Sequence, residues 1–408
     1  MKYVRMPIER ESPEETGHHL ILAQPHSRKG TTPMANFEPF VLERMMGKWE
    51  NVVEINLSES GVHPLKLGEL MAMAGRTVDE LADVELNYPQ ANGTAELRRN
   101  IAAFYPGATE DNVLVTTGAA EANFLIISTL LEPGDEAVIM RPNYLQTWGL
   151  AKNRGITVRD FMLIEDRGWA PDLEGLERIV TSKTRLISVC NPNNPTGRIL
   201  TMAEMQAVVA AAQRSGAWIL ADEVYAGAER ETDVQTPTFY GLYDKVIAVG
   251  SMSKAYGLPG LRTGWAVGPA RTLDDMWARH DYITITNTML SDKLATLALS
   301  ETVRPKILAR TRGLIRAGYP VLQKWVAEHG DMFQIYPSQA AAVAFLRYEL
   351  DINSTALVTR LRDEKSVFIV PGDQFGFDRH LRVSFGLPHD YLNEGLRRID
   401  QLCAEIER

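Results

Sequence analysis

The sequence predicts an α/β protein: a large domain built on a mainly parallel seven-stranded sheet flanked by helices, and a smaller α+β domain. Seven short apolar runs lack strict polar alternation, which is typical of strands buried on both faces. Amphipathic helical patterns lie between several of these runs and favour βαβ units. After about residue 290 the pattern changes to a long helical stretch followed by short strands.

The elements of the large domain follow in chain order. The predicted strands cover 112–117, 136–140, 156–163, 184–190, 217–221, 245–250 and 263–268. Helices are predicted over 119–131 and 201–216. The second helix has capping signals at both ends: Thr201 with Glu204 three residues later, and Gly216 at the close.

The smaller domain is predicted from a helical pattern over 291–329, short strands and a last helix over 390–407. The strands cover 332–337, 341–350, 367–372 and 381–385. The first 47 residues look irregular and are expected to pack on this domain. The predicted division is therefore 48–290 for the large domain, with 1–47 and 291–408 forming the small one.

Length and composition limit the function classes. A chain of 408 residues is too long for one small core, which favours two structural units. The net charge of -9 disfavours nucleic acid or an anionic membrane as the main partner. Two cysteines, Cys190 and Cys403, make no disulfide framework and no metal cluster. Because no signal peptide or long apolar stretch is present, a soluble cytoplasmic protein is expected.

Candidate ligand-binding groups, either polar side chains or bare backbone amides, follow four of the predicted strands, where parallel sheets bind ligands. These stretches are Gly118–Ala120, "NPNNPTG" (191–197), "DEVY" (222–225) and "GSMSKAYGLPGLRTG" (250–264). Each alone has a simple explanation, because tight turns, an N-cap aspartate and a solvated loop lysine are all common. Together they supply bare amides, an asparagine, a carboxylate, a phenol, an arginine and a lysine.

Pyridoxal 5′-phosphate is a cofactor that needs this set of groups. Its aldehyde is held as an imine on a lysine, and a carboxylate keeps its ring nitrogen protonated. Its phosphate needs amides, hydroxyls and an arginine. The sequence therefore predicts a site for this cofactor at the strand ends.

The motifs "NPNNPTG", "ADEVY" and "SMSKAYGLPGLRTGW" together resemble those of the class I and II aminotransferases, within the fold type I pyridoxal-phosphate enzymes. The resemblance covers most of the chain. It implies that Lys254 forms the Schiff base and then moves the proton between substrate and cofactor. It implies that Asp222 pairs with the ring nitrogen, and that Tyr225 and Asn194 bind the 3′ oxygen.

The resemblance also implies the remaining cofactor contacts. Ser251, Ser253 and Arg262 would bind the phosphate, together with the amides of Gly118, Ala119 and Ala120. Tyr144 would stack on the ring face; without the family context it reads as a surface-loop tyrosine.

On the substrate side, Arg382 and Asn194 match the residues that grip the α-carboxylate. Outside the family context, Arg382 reads as a strand arginine directed to solvent. Tyr88 matches the tyrosine that reaches the phosphate of a neighbouring subunit, which implies a homodimer with a shared active site.

Two segments depart from the common family pattern. Residues 56–70, "NLSESGVHPLKLGEL", replace a motif that normally lines the substrate pocket. Thr286–Leu290 has no arginine where the dicarboxylate-specific branch carries one. Dedicated aspartate or glutamate specificity is therefore not expected. The candidate selectors of the substrate side chain are His63, Asp281, Tyr282 and Asn287.

The leading hypothesis is an aminotransferase that moves an amino group between an α-amino acid and a 2-oxo acid by a ping-pong mechanism. The alternative on the same fold is a β-lyase or a cyclase, because fold does not fix function. The effector domain of a transcription regulator is disfavoured, since only about 47 acidic, irregular residues precede the predicted fold.

Overall fold

The computed structural model of the protein describes residues 37–406, which contain twelve α-helices and fourteen β-strands. The helices are α1 (Val41–Trp49), α2 (Leu67–Met73), α3 (Ala95–Ala102), α4 (Ala119–Leu130), α5 (Gln146–Asn153), α6 (Leu173–Ile179), α7 (Met202–Ser215), α8 (Ala270–His280), α9 (Met289–Ala298), α10 (Arg304–Glu328), α11 (Ser354–Lys365) and α12 (His389–Ile406). The strands are β1 (Ile55–Asn56), β2 (Val113–Thr116), β3 (Glu136–Arg141), β4 (Thr157–Ile164), β5 (Ala170–Pro171), β6 (Thr184–Cys190), β7 (Trp218–Asp222), β8 (Val246–Ser251), β9 (Gly264–Val267), β10 (Phe333–Ile335), β11 (Val343–Tyr348), β12 (Val367–Phe368), β13 (Val370–Pro371) and β14 (His380–Ser384).

Eight strands form the large sheet, in the order β2-β9-β8-β7-β6-β3-β4-β5. The pairs among β4, β3, β6, β7 and β8 are parallel, whereas β9 is antiparallel to both neighbours and β5 is antiparallel to β4. All seven predicted strands are present, so the α/β class with a mainly parallel sheet is confirmed. The eighth strand, β5, has only two residues and is too short to show a periodic pattern in the sequence.

The apolar strands of this sheet are buried on both faces, as β8 illustrates. Val246 and Ala248 pack into one hydrophobic core, and the alternate residues Ile247 and Val249 pack into a second. Because successive side chains point to opposite faces of a sheet, a strand with a core on each side needs apolar residues at every position.

Helix α7 shows that local sequence signals set the ends of a connecting helix. The Thr201 hydroxyl accepts a hydrogen bond from the Glu204 amide, and the Glu204 carboxylate accepts one from the Thr201 amide. Gly216 ends the helix with a left-handed backbone (φ +71°) that glycine adopts without strain. The predicted capping box and glycine stop are both confirmed.

The C-terminal part of the chain contains a second, smaller sheet of four strands in the order β10-β11-β14-β13, all antiparallel. The helical pattern predicted over 291–329 is two helices, α9 and α10, separated by a short break. Strand β1 pairs in parallel with β12, which attaches the segment after α1 to this part of the chain. The proposed boundaries of the two domains remain a prediction.

The expectation that the first 47 residues are irregular is wrong for residues 41–47, which belong to α1 (Val41–Trp49). Leu42 and Met46 lie four residues apart on one helical face and are buried, while Trp49 packs under the Arg362 guanidinium. Residues 1–36 of that predicted segment lie outside the described residues. Among the described helices, none combines the length and apolar character needed to cross a membrane.

Candidate active site

A cavity of about 420 Å³ opens where β6, β7 and β8 end. Polar residues that follow these three parallel strands meet there, as the strand-end pattern predicts. The cavity lining brings together most of the predicted site residues: Ala119, Ala120, Tyr144, Asn194, Asp222, Tyr225, Ser251, Ser253, Lys254, Arg262 and Arg382.

Lys254 follows β8 and points its amine into the cavity, with Nζ 3.9 Å from a carboxylate oxygen of Glu59. The segment that carries Glu59 passes close to the lysine. A side chain at Gly61 would come within 3.1 Å of the Ser253 carbonyl oxygen and 3.5 Å of the Lys254 Cα. Gly61 therefore allows the backbone after β1 to lie against the lysine loop.

Asp222 is the last residue of β7, and its carboxylate accepts a hydrogen bond from the Val224 amide at 3.3 Å. Burial raises the pKa of Asp222 from 3.8 to about 6, and the Val224 amide, Asn123 and Lys254 oppose that rise. The neighbouring Glu223 does not line this cavity. Its carboxylate accepts hydrogen bonds from the Phe239 amide and the Thr238 hydroxyl. Asp222 is thus the carboxylate of "DEVY" that faces the site.

One end of the cavity presents donor groups that suit an anion. The N-terminus of α4 presents its amides there, and the Arg262 guanidinium lies over Gly118. A Cβ at residue 118 would meet Nη2 of Arg262 at 2.6 Å, and the backbone there has φ +78°. Arg262 itself has the left-handed φ of +48°, and no carboxylate among the described residues pairs with it. Gly264 leaves room for the Gly118–Ala119 backbone, which a Cβ would approach to 2.4 Å.

Arg382 lies on β14 with only 2% of its surface exposed. It donates hydrogen bonds to Asn194 Oδ1 at 3.1 Å and to the Ser58 carbonyl oxygen. Its Nε has no partner in the described structure, and none of the described carboxylates forms an ion pair with the guanidinium. Burial lowers the pKa of Arg382, while Tyr225, Glu59 and Glu43 favour its charged form. The position of Arg382 suits an incoming carboxylate.

Two tyrosines also line the cavity. Tyr225 donates a hydrogen bond from its phenol to Ser60 Oγ at 2.9 Å. Tyr144 donates one to Glu43 at 2.7 Å and packs edge-on against Phe40, with ring centroids 4.8 Å apart.

Several residues singled out in the sequence do not line the cavity. Tyr88 is 82% exposed and Tyr282 94% exposed. His63 and Asp281 are exposed as well, and neither is part of the lining. Asn287 is buried, where its amide donates to Thr263 Oγ1 at 2.8 Å and its Oδ1 accepts from the Thr288 amide. The side chain of Asn287 therefore supports the loop before α9.

Sequence reasoning missed six polar residues of the lining. They are Glu43, Glu50, Glu59, Ser60, Asn123 and Gln146. Glu59 and Ser60 belong to the 56–70 segment that departs from the family pattern, so that departure was the available signal for them. Glu43 and Glu50 lie on α1 and at its C-terminal cap, outside the motifs.

These residues fit pyridoxal 5′-phosphate. An arginine that forms no ion pair among the described residues lies beside bare helix amides and suits the phosphate. A carboxylate whose pKa is raised by burial suits a protonated ring nitrogen, and a lysine lines the same cavity. Lys254 would hold the aldehyde and Asp222 the ring, with Arg262 and the Gly118–Ala120 amides at the phosphate.

The model for the family described as aminotransferase class I and II matches residues 69–399. Capreomycidine synthase of Streptomyces vinaceus is 29% identical over 374 residues, which cover 90% of this chain and 93% of that protein. A PLP-dependent aminotransferase structure from Streptococcus suis is 30% identical with a TM-score of 0.85, over 91% of this chain and 99% of that one. The structure of the PLP-dependent cyclase OrfR is 26% identical with a TM-score of 0.83, over 92% and 100% of the two chains.

Proposed function

Because the chain belongs to the class I and II aminotransferases, which depend on pyridoxal 5′-phosphate, we propose that it exchanges an amino group between an α-amino acid and a 2-oxo acid by a ping-pong mechanism. One observation carries the proposal: Lys254, Asp222 and Arg382, from three distant parts of the sequence, line the same cavity. A covalent anchor, a ring partner and a carboxylate site are the three functions that this reaction requires.

When bound, pyridoxal phosphate supplies an aldehyde that accepts amino groups and a ring that takes up the electrons of a substrate Cα–H bond. Lys254 would hold the cofactor through Nζ until a substrate amine takes its place. The freed Nζ would then be the group that takes the proton from the substrate Cα and delivers it to the cofactor. Asp222 would keep the ring nitrogen protonated, as uptake of electrons by the ring requires.

The remaining residues orient the reactants. Arg382 binds the α-carboxylate with the donors that the described structure leaves available, and Asn194 fixes the guanidinium at 3.1 Å. The phenol of Tyr225 and the amide of Asn194 would bind the 3′ oxygen. Tyr144 would cover the ring face, with Ser251 and Ser253 helping Arg262 to bind the phosphate.

We also propose a homodimer in which Tyr88 completes the site of a second copy. Two adjacent segments expose large apolar side chains: Leu86 and Tyr88 on one, and Tyr282 and Ile285 on the other. The segments are joined by a hydrogen bond from the His280 ring to the Ala91 carbonyl oxygen. An exposed apolar patch of this kind is typical of a protein interface.

A cyclase is the second candidate, because a relative of similar length is named a capreomycidine synthase and a solved structure of similar fold is named a PLP-dependent cyclase. Loss of a Cα proton is common to both reactions, so the same Lys254, Asp222 and Arg382 would serve. The shape and charge of the rest of the pocket then decide which bond changes.

A single-turnover experiment separates these reactions. The purified holoenzyme is mixed with each of a panel of amino acids in the absence of any 2-oxo acid. We expect at least one amino acid to give the aminated cofactor and one equivalent of its 2-oxo acid. Release of a ring-closed product, without the aminated cofactor, would support the cyclase, whereas release of ammonia together with a 2-oxo acid would indicate a β-lyase instead. A panel that leaves the cofactor and every amino acid unchanged would contradict both.

A further inference from the structure

The outer side of the cavity carries three carboxylates, Glu43, Glu50 and Glu59, named here the outer carboxylates. Glu43 and Glu50 flank Met46 at spacings of three and four residues, so all three side chains lie on the face of α1 that borders the cavity. Glu59 reaches the same space from the segment after β1.

The proposed function assigns no role to the outer carboxylates. The cofactor and the substrate carboxylate account for Asp222, Lys254, Arg262 and Arg382. Among the described residues, Lys254 is the one cation paired with an outer carboxylate, and its distance to Glu59 is 3.9 Å. Glu43 accepts a hydrogen bond from a neutral phenol, that of Tyr144.

The outer carboxylates also lie close enough to repel one another. The pKa of Glu50 is raised because burial first, and then the neighbouring Glu59 and Glu43, disfavour its charged form. A positively charged ligand group between the outer carboxylates would offset the repulsion among them.

A second and independent observation points to the ligand. The buried Arg382 lines the same cavity and has an Nε without a partner in the described structure. Glu59 and Glu43 both stabilise the charge of Arg382, so they lie near it. A ligand that satisfies both features has a carboxylate at Arg382 and a cation toward the outer carboxylates.

We propose that the outer carboxylates bind the side chain of the substrate, and that this substrate is an α-amino acid ending in a guanidinium, such as arginine or a derivative of it. The assignment rests on the proposed function, since it takes Arg382 as the site of the α-carboxylate. A guanidinium offers five N–H donors in a planar fork, which suits several carboxylates at once better than a single ammonium does.

Binding of two unreactive ligands to the holoenzyme tests this assignment without turnover. The ligands are the des-amino analogues of L-arginine and L-citrulline, which have the same length but a charged guanidinium and a neutral urea respectively. Without an α-amino group, neither can displace Lys254. By isothermal titration calorimetry we expect the guanidinium ligand to bind about tenfold more tightly, or better, because charged hydrogen bonds are the stronger ones.

Two glutamine variants and a matched control test whether the outer carboxylates cause the preference for the guanidinium ligand. Glu50→Gln is the deciding variant, because no ion pair joins Glu50 to Lys254 in the described structure; Glu59→Gln is the second. Each should weaken the guanidinium ligand by about fivefold or more and leave the urea ligand unchanged. The control is Glu54→Gln, which removes an exposed carboxylate paired with Arg398, outside the lining. It should change neither affinity.

The outcomes separate this assignment from the proposed function. Equal binding of the two ligands to the wild-type protein, or equal loss of both in Glu50→Gln, would overturn the assignment. Arg382→Lys should weaken both ligands alike, because both carry the same carboxylate. If the panel experiment shows no transamination while the guanidinium preference and its loss in Glu50→Gln persist, the proposed function fails and the cation site stands.

Discussion

The two ends of the cavity are built from different parts of the chain and differ in charge. The inner end collects Asn194, Asp222, Lys254 and Arg262 from the ends of parallel strands, with charges of both signs. The outer end takes the outer carboxylates from α1 and an irregular segment. Within the proposed function, the sheet therefore fixes the cofactor chemistry, while a short helix and a loop select the substrate.

This difference predicts that changes at the inner end act on every substrate alike. The largest such effect is expected for Asp222→Asn, because a neutral amide cannot keep the ring nitrogen protonated. The rate should fall about 100-fold or more, and by the same factor for each amino acid accepted. Steady-state kinetics on two amino acids of different side-chain charge measure this loss of rate. Unequal losses for the two substrates would contradict the separate roles of the two ends.

The same variant has a pH signature. Because burial raises the pKa of Asp222 to about 6, its carboxylate is protonated below that pH and ionised above it. Cofactor binding to the wild-type protein should therefore strengthen as the pH rises through about 6. The cofactor phosphate also titrates near this pH, but it does so equally in Asp222→Asn. Identical pH curves for the two proteins would contradict a role for Asp222 at the ring.

The fold and the inner end could be predicted because their signals are contiguous in sequence. The Thr201–Glu204 capping box and the seven apolar runs each specify a local structure, and parallel strands bring their carboxyl ends together. The outer end has no such signal. Glu43 lies in a segment that reads as irregular and Glu50 just after it, and only the folding of α1 against the rest of the chain places both at a cavity.

A smaller effect at the inner end is expected for Gly118→Ala. The backbone there, with φ +78° and ψ 164°, lies in a region that is essentially restricted to glycine, and the added methyl would displace Arg262. The strain amounts to roughly 1–3 kcal/mol. Cofactor affinity, measured by fluorescence titration, should fall about tenfold, with no change in the preference for a guanidinium ligand.

Gly260→Ala is the matched control for that variant. Gly260 lies in the same cavity-lining loop as Arg262, has no positive φ, and a Cβ there would meet nothing within 4 Å. Its cofactor affinity should equal that of the wild-type protein. If both alanine variants bind the cofactor equally well, the phosphate does not lie at Gly118.

The most direct test of the central claim is to find which residue carries the cofactor. Borohydride reduces a lysine–cofactor linkage to a stable amine, and peptide mass mapping then identifies the lysine. We expect the holoenzyme to carry one cofactor on the peptide that contains Lys254, and Lys254→Ala protein to carry none. A label on Lys245, which lies at the other end of β8, or on any other lysine would contradict the account.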